Sequence, residues 1–190
     1  MVILGIDPGF VSLGWALLDF SGARPRCLGA GVIRTKANPK ARKCDDNKAR
    51  IAKLARELRA IEQAHEPVII AAEAQSWTRF QKADRALAMA WGCIATLGEL
   101  YAIPVLQFTP QEIKRSVAGG GSASKEAVQQ ALETHIDGAA EHLAAIAKTQ
   151  QNHAADALGA AYKALEHDVT KTVSNVYDWS RGRRLDKGAP

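Results

Sequence analysis

Three short apolar segments at the start of the chain are joined by links too short to hold a helix. The segments span residues 2–7, 14–20 and 28–35, and the links are PGFVSL and SGARPRC. Links of this length that are rich in Gly, Pro and Ser connect antiparallel neighbours. The sequence therefore predicts an antiparallel three-stranded meander, which restricts the fold to one built on a sheet.

After the meander, helical and strand patterns alternate. A charged loop at 36–46 is followed by a predicted helix at 49–65, whose apolar face contains Ile51, Leu54, Leu58 and Ile61. The apolar run VIIAAEA and a second run at 103–108 fit strands that are covered on both faces. Further helices are predicted at 82–101, after Thr109, after Ser124 and at 151–166. The predicted fold is α/β, with a five-stranded mixed sheet (three antiparallel strands, then two parallel ones) flanked by helices.

Composition predicts one globular domain rather than a membrane or secreted protein. The chain has 190 residues, 47% of them hydrophobic, and no apolar run approaches the roughly 20 residues of a membrane span. Its three cysteines are widely spaced and the start lacks a signal peptide, so we expect a cytoplasmic protein. A net charge of +5 is compatible with a polyanionic partner. We assign 1–166 to the folded domain and 167–190 to a basic C-terminal tail.

Two predicted strands end on an acidic residue. Asp7 closes the first strand, before a Pro-Gly turn, and Glu73 closes the fourth. If these strands are parallel neighbours, both carboxylates lie at one sheet edge, where like charges repel and burial is costly. A divalent cation removes both penalties, and carboxylate oxygens suit Mg²⁺ or Mn²⁺. Taken alone, Asp7 is more simply a turn former and Glu73 a satisfied edge acid.

The run NHAADALGAAY in the last helix contains two more candidate ligands. His153 and Asp156 are three residues apart and therefore share one helix face. The alanines around them are small enough to let the helix approach a sheet closely. Together with Asp7 and Glu73 they offer three carboxylates and one imidazole, a set that suits two cations about 4 Å apart acting on a phosphodiester. A capping or surface role for His153 is the simpler alternative.

A glycine-rich loop, AGGGSAS, is flanked by Lys114, Arg115 and Lys125. Its backbone N–H groups and the hydroxyls of Ser122 and Ser124 can contact an anion at a helix start. The pattern does not match a Walker A loop, so a DNA or RNA phosphate is the better partner. A flexible linker with solvated lysines is the alternative.

The run SWTRFQK, shortly after Glu73, interleaves aromatic and basic residues, namely Trp77, Arg79, Phe80 and Lys82. Exposed rings among cations suit stacking on an unpaired base. Inward packing of one or both rings is the alternative.

These motifs, in this order, resemble the RuvC family of Holliday junction resolvases. The matching segments cover roughly residues 2–165 and include ILGIDPG, LGAGVIRTK, IKRSVAGGGSASKEAVQ and HAADALGAA. The resemblance implies a ribonuclease H-like fold and a homodimer. It also implies cleavage of four-way DNA junctions by paired symmetric nicks, with Mg²⁺ or Mn²⁺ and with 5′-phosphate and 3′-hydroxyl products.

The resemblance also implies roles for individual residues. Asp7, Glu73 and Asp156 match the family's acids, and His153 falls where many members have another Asp and some have His, a change that favours Mn²⁺. Lys125 would then offset the charge that develops on the phosphoryl group.

Three further residues take implied roles at the DNA. Lys114 matches a basic residue that approaches the scissile phosphate, as Lys125 does. Trp77 and Phe80 compete for the role of the aromatic residue inserted at the junction, because this segment is about two residues longer than in typical members. The predicted helix at 82–101 offers a dimer surface or a buried face, through Ala83, Leu87, Ala90, Trp91 and Ile94.

Three other functions remain compatible with the sequence. A broader nuclease of the same fold, cutting forks or flaps, would share nearly all of these features. An actin-type nucleotide-binding protein also begins with a strand, Asp and a Gly-rich turn, but it needs a second phosphate loop that this chain lacks. A non-catalytic junction-binding protein would have lost an acid. A branch-migration helicase partner is compatible with the sequence, but no residue indicates one.

Overall fold

The computed structural model describes residues 1–74 and 81–167, with the backbone alone described at 81–83. The strands are β1 (Val2–Asp7), β2 (Ser12–Asp19), β3 (Arg26–Arg34), β4 (Ile69–Glu73) and β5 (Val105–Phe108). The helices are α1 (Lys43–His65), α2 (Gln81–Tyr101), α3 (Pro110–Ala118), α4 (Lys125–His135), α5 (Ala139–Ala144) and α6 (Gln151–Ala164).

The strands form one five-stranded sheet in the order β3-β2-β1-β4-β5. The first three strands pair antiparallel, as their short links require, while β4 pairs parallel to β1 and β5 parallel to β4. Both parallel connections contain a helix, because the chain must return to the same sheet edge before the next strand starts. The predicted mixed sheet is therefore confirmed.

Apolar residues cover both faces of the sheet, as expected for strands in the centre of an α/β layer structure. One face packs against α3 to α6 and contains Ile3, Ala16 and Ile69. The other face packs against α1 and α2 and contains Leu4, Leu17 and Ile70. Each strand alternates between these two cores because successive side chains point to opposite faces.

The predicted caps of α3 and α4 are confirmed. Thr109 and Glu112 form a reciprocal capping box at the start of α3, and the Ser124 hydroxyl accepts a hydrogen bond from the backbone N–H of Ala127. The glycine run after α3 ends that helix, with Gly119 in a left-handed conformation at φ 74°.

Two details differ from the sequence prediction. The predicted loop at 36–46 was wrong at its end, because α1 begins at Lys43. Asp45 and Asp46 stabilise this first turn, as acids do at a helix N-terminus. In α2, Ala90 and Ile94 are fully buried in the chain's own core, so the alternative of burial is correct for these two residues. No described helix is both long and apolar enough to cross a membrane.

Candidate active site

Asp7 and Glu73 end two adjacent parallel strands at the same level. Ile6 pairs with Ala72 in the β1–β4 register, so the acids that follow these two residues leave the sheet side by side. Both side chains are half-buried, since the core lies directly behind them. The expected meeting of these two acids at one sheet edge is confirmed.

α6 crosses this edge at backbone contact distance because two strand glycines make room for it. A Cβ atom at Gly5 would lie 2.0 Å from the carbonyl oxygen of Ala157, and one at Gly14 would lie 2.0 Å from that of His153. Gly14 is also the cross-strand partner of Asp7. The helix backbone at His153 therefore rests beside the strand position of Asp7.

The close approach brings His153 into contact with Asp7. His153 Nδ1 lies 2.6 Å from Asp7 Oδ2, with 39% of the histidine side chain and 16% of the aspartate side chain exposed. A neutral histidine that donates Nδ1–H to this carboxylate keeps the lone pair of Nε2 for another partner. His153 thus contacts the acid cluster while part of its ring stays open to solvent.

The cluster holds more negative charge than its surroundings favour. Burial, together with the charges of Asp7 and Asp156, raises the pKa of Glu73 to about 7. Burial and the charge of Asp7 also raise the pKa of Asp156. The hydrogen bond to Asp7 raises the pKa of His153, since it favours the imidazolium form. Glu73 and Asp156 therefore lose their protons at a higher pH than ordinary carboxylic acids do.

The donor set fits a divalent cation. In the described ranges no three His, Cys, Asp or Glu side chains already stand at metal-binding separation. However, burial and mutual repulsion disfavour the charged forms of Glu73 and Asp156, and a bound cation would offset that repulsion. Three carboxylates and an imidazole nitrogen are ligands that Mg²⁺ or Mn²⁺ accepts.

Two lysines reach the cluster from neighbouring helices. Their positive charges offset part of the rise in the pKa of Glu73 and of Asp156, which places Lys114 and Lys125 within electrostatic reach of both acids. α3 packs closely on α6, since a Cβ atom at Gly159 would lie 2.9 Å from Ile113, and this packing positions Lys114. Lys125 is the exposed first residue of α4. The arrangement combines metal-type ligands with cations suited to a phosphate.

The family model of crossover junction endodeoxyribonuclease RuvC matches residues 3–164. The chain belongs to the RuvC family. The family's enzyme from Gloeobacter violaceus is 29% identical over 170 residues, or 89% of this chain and 90% of that protein. The enzyme from Pseudothermotoga lettingae is 34% identical over 133 residues, or 70% of this chain and 78% of that protein.

A solved RuvC structure agrees in fold. Thermus thermophilus RuvC in complex with a Holliday junction substrate has a TM-score of 0.74 and 25% sequence identity, and the match covers 90% of this chain and 97% of that one. The resemblance stated from the motifs is therefore confirmed, and with it the ribonuclease H-like fold. It favours a RuvC-type nuclease over the actin-type alternative.

The remaining predicted DNA contacts of this RuvC member divide into two groups. Arg115 and Ser122 are exposed beside the glycine run, and the charge of Arg115 acts on Glu112 rather than on the acid cluster. The Ser124 hydroxyl caps α4. The other four residues lie where the structure describes no side chain, namely Trp77, Arg79, Phe80 and Lys82.

Gly5 and Gly14 position the site, although no sequence motif identified them as site residues. Glycine inside a strand signals a close approach of another backbone. Both glycines carry that signal, but the sequence alone does not say which segment approaches them. Their partner is α6, which carries half of the candidate ligands.

Proposed function

We propose that this RuvC family member is a Holliday junction resolvase, an endodeoxyribonuclease that cuts four-way DNA junctions by paired symmetric nicks. The observation that carries the proposal is the His153–Asp7 contact beside Glu73 and Asp156, at one edge of a RuvC-type sheet. The products would carry 5′-phosphate and 3′-hydroxyl ends.

The four clustered side chains are the proposed metal ligands. Asp7, Glu73 and Asp156 would bind through carboxylate oxygens and His153 through a ring nitrogen. Two Mg²⁺ or Mn²⁺ ions would supply an activated water and stabilise the departing 3′ oxygen. The imidazole favours Mn²⁺ more than a fourth carboxylate would. The half-buried positions of the acids limit the water around them and strengthen their charge interactions.

The basic residues are proposed to bind and orient the substrate. Lys125 would offset charge on the phosphoryl group, and Lys114 would hold the neighbouring backbone. The other proposed DNA contacts are Arg115, Ser122, Ser124, Trp77, Arg79, Phe80 and Lys82. We assign this activity to a nuclease domain at 1–166 followed by a basic tail at 167–190.

A substrate panel tests the proposal. End-labelled four-way junction, replication fork, flap and plain duplex are incubated with the protein and with Mg²⁺ or Mn²⁺ in turn. We expect symmetric nicks in the four-way junction at far lower protein concentration than in the other substrates. Ligation of the nicked products without prior phosphorylation checks the predicted end chemistry.

Two outcomes would change the assignment. Equal cleavage of forks and junctions would replace the narrow resolvase by a broader branched-DNA nuclease. Tight junction binding without cleavage under either metal would favour the non-catalytic alternative.

We infer that the active form is a homodimer joined through an apolar groove between α1 and α2. The groove has a volume of about 980 Å³ and is lined by Ile51, Met89, Cys93, Leu97 and Leu100, among others. Leu100 is 74% exposed, which is unusual for a leucine on a helix surface. A second copy would cover this face and supply the second, symmetric nick.

Measurement of molar mass by light scattering tests the dimer. Leu100→Glu should shift the protein towards monomer and uncouple the two nicks. Leu28→Glu alters an exposed leucine on β3, 37% accessible, and should leave the mass unchanged. A monomeric unsubstituted protein that still cuts both strands together would contradict the inference.

We also infer a cytoplasmic location. All three cysteines are free, and Cys27 and Cys93 are buried as thiols. This pattern suits a reducing compartment. Fractionation of cells that express the tagged chain would test the location.

A further inference from the structure

The segment between β3 and α1 carries a dense run of exposed cations. We call residues 34–43 the basic loop; its sequence, RTKANPKARK, has five Lys or Arg residues and no acid. The five cationic side chains are all on exposed residues. Within the described ranges, Arg42 alone among them has an ion pair, at 2.8 Å from Asp45. The loop therefore presents a net positive surface.

The basic loop is fastened to the turn that follows Asp7. The backbone N–H of Thr35 donates to the carbonyl of Val11 at 2.9 Å, and the Thr35 hydroxyl donates to the carbonyl of Phe10. Phe10 and Val11 belong to the link between β1 and β2. The loop is therefore held at the edge of the sheet that carries the acid cluster.

A half-buried arginine also holds the loop in place. Arg50 of α1 lies over the Phe10 ring at 4.1 Å and donates to Thr35 Oγ1 at 2.8 Å. Arg50 Nη1 lies 3.8 Å from Asp46 Oδ2. The other carboxylate oxygen of Asp46 accepts a hydrogen bond from the backbone N–H of Asn38 at 2.9 Å. The loop backbone is thus held at Thr35 and at Asn38, so less ordering is needed when a ligand binds.

The basic loop and the two active-site lysines approach the acids from opposite faces of the sheet. α1 begins at the acid edge on one face, because its far end leads into β4 at the other edge. Lys114 and Lys125 belong to α3 and α4, which pack on the second face. Cations therefore flank the acids on both sides.

We propose that the basic loop is a second DNA-binding surface, which holds the phosphate backbone of a duplex arm leaving the active site. This inference rests on the proposed junction-cleaving function. The loop contains no aromatic residue that could stack on an unpaired base, so its chemistry selects phosphates. Several exposed cations on one anchored segment suit the negative charges of a nucleic-acid backbone.

A charge-matched pair of variants tests the basic loop. Lys36→Ala/Lys40→Ala removes two exposed cations whose side chains have no ion pair within the described part of the chain. Arg24→Ala/Arg26→Ala removes two cations at the opposite sheet edge, since Arg26 pairs with Asp19, at the far end of β2. Affinity for a long-armed four-way junction is measured from about 50 to 200 mM salt. Calcium replaces magnesium so that cleavage does not interfere.

The loop variant should bind about tenfold more weakly and lower the salt slope by about one to two, one for each lost phosphate contact. The opposite-edge variant should keep the original slope. A junction with arms trimmed to a few base pairs should bind both variants alike, since no arm then reaches the loop.

The two proposals fail in distinguishable ways. If the unaltered chain neither binds nor cuts the junction, the proposed function is wrong. If the unaltered chain does both and the loop variant keeps its affinity and slope, the basic loop alone is refuted. Unchanged thermal unfolding of the loop variant confirms that a lost slope reports DNA contact.

Discussion

Two charged clusters lie at the same sheet edge, and they are built in opposite ways. The Arg50–Asp46 cluster places one cation against one acid, and further hydrogen bonds from Arg50 reach Thr35 and the Phe10 carbonyl. The acid cluster instead brings Asp7, Glu73 and Asp156 within electrostatic reach of one another, and its one histidine contacts Asp7. Burial and repulsion between the acids raise the pKa of Glu73 and of Asp156.

The difference separates structural from functional electrostatics. A cluster whose charges are matched internally gains nothing from an added ion and serves the fold. A cluster with unmatched negative charge destabilises the chain that carries it and is stabilised by an external cation. The following predictions test that division, from the largest effect to the smallest.

Asp7→Asn should reduce junction cleavage at least about 1000-fold, which corresponds to roughly 4 kcal/mol of transition-state stabilisation. Junction affinity should survive, because phosphate contacts rather than Asp7 dominate it. Single-turnover cleavage and calcium-supported binding measure the two effects separately. Asp137→Asn, which alters an acid 55% exposed and paired with Arg24, is the control with full activity. Full activity of Asp7→Asn with either metal would remove Asp7 from the catalytic assignment.

Arg50→Ala should lower the free energy of unfolding by about 3 kcal/mol, because the buried Asp46 loses its cation, and Thr35 Oγ1 and the Phe10 carbonyl each lose a hydrogen-bond donor. Lys48→Ala, an exposed change on the same helix, should cost under about 0.5 kcal/mol. Denaturant unfolding at neutral pH measures both. Equal stability of the two variants would mean that the Arg50 cluster does not hold the fold.

Glu73→Gln should stabilise the metal-free protein by about 2 kcal/mol at pH 8 while it abolishes cleavage. The pKa of Glu73 is raised to about 7 in the folded chain, above its ordinary value of 4.5. The unfolded chain therefore ionises first, and stability falls as pH rises from about 4.5 to 7. The raised pKa of His153 acts in the same direction, since its stabilising pair with Asp7 is lost as pH rises through the folded pKa.

Unfolding in chelator at about pH 5 and pH 8 measures this gain, with the exposed Glu57→Gln as a neutral control. Mg²⁺ or Mn²⁺ should restore stability to the unaltered protein at pH 8 and should do so less for Glu73→Gln. A pH-independent stability that no divalent cation changes would contradict the unmatched-charge interpretation.

Ser124→Ala should cost about 1 kcal/mol, because the hydroxyl caps α4 at the residue before Lys125. Ser122→Ala, at an exposed position two residues earlier, should leave stability unchanged. Thermal unfolding checks the pair. If both substitutions also lower DNA affinity, the proposed phosphate contacts of the two serines are supported. If the two variants are equally stable, the Ser124 cap does not contribute to stability.

Much of the fold and half of the site were predictable from local sequence signals. Short turn-rich links determine the meander, and an apolar strand that ends on Glu73 implies an edge shared with Asp7. The three-residue spacing of His153 and Asp156 places both on one helix face. Each of these inferences depends on periodicity or chain direction, which sequence reports directly.

The rest depends on contacts between distant segments. The loop–helix boundary was predicted six residues too late because Asp45 and Asp46 resemble solvated charges until Arg50 and Asn38 are seen around Asp46. The His153–Asp7 hydrogen bond likewise joins residues 146 positions apart. Sequence supplied the ligands but not the distance that separates them.

The distance between His153 and Asp7 depends on Gly14, the cross-strand partner of Asp7. A Cβ atom at Gly14 would lie 2.0 Å from the carbonyl oxygen of His153. The spacing between β2 and α6 is therefore set by backbone atoms rather than by side chains. Substitution of core residues by others of similar volume should leave this spacing unchanged. A single added carbon at position 14 would widen it. The spacing of the site residues should thus tolerate substitutions in the core but not at Gly14, which has no functional side chain.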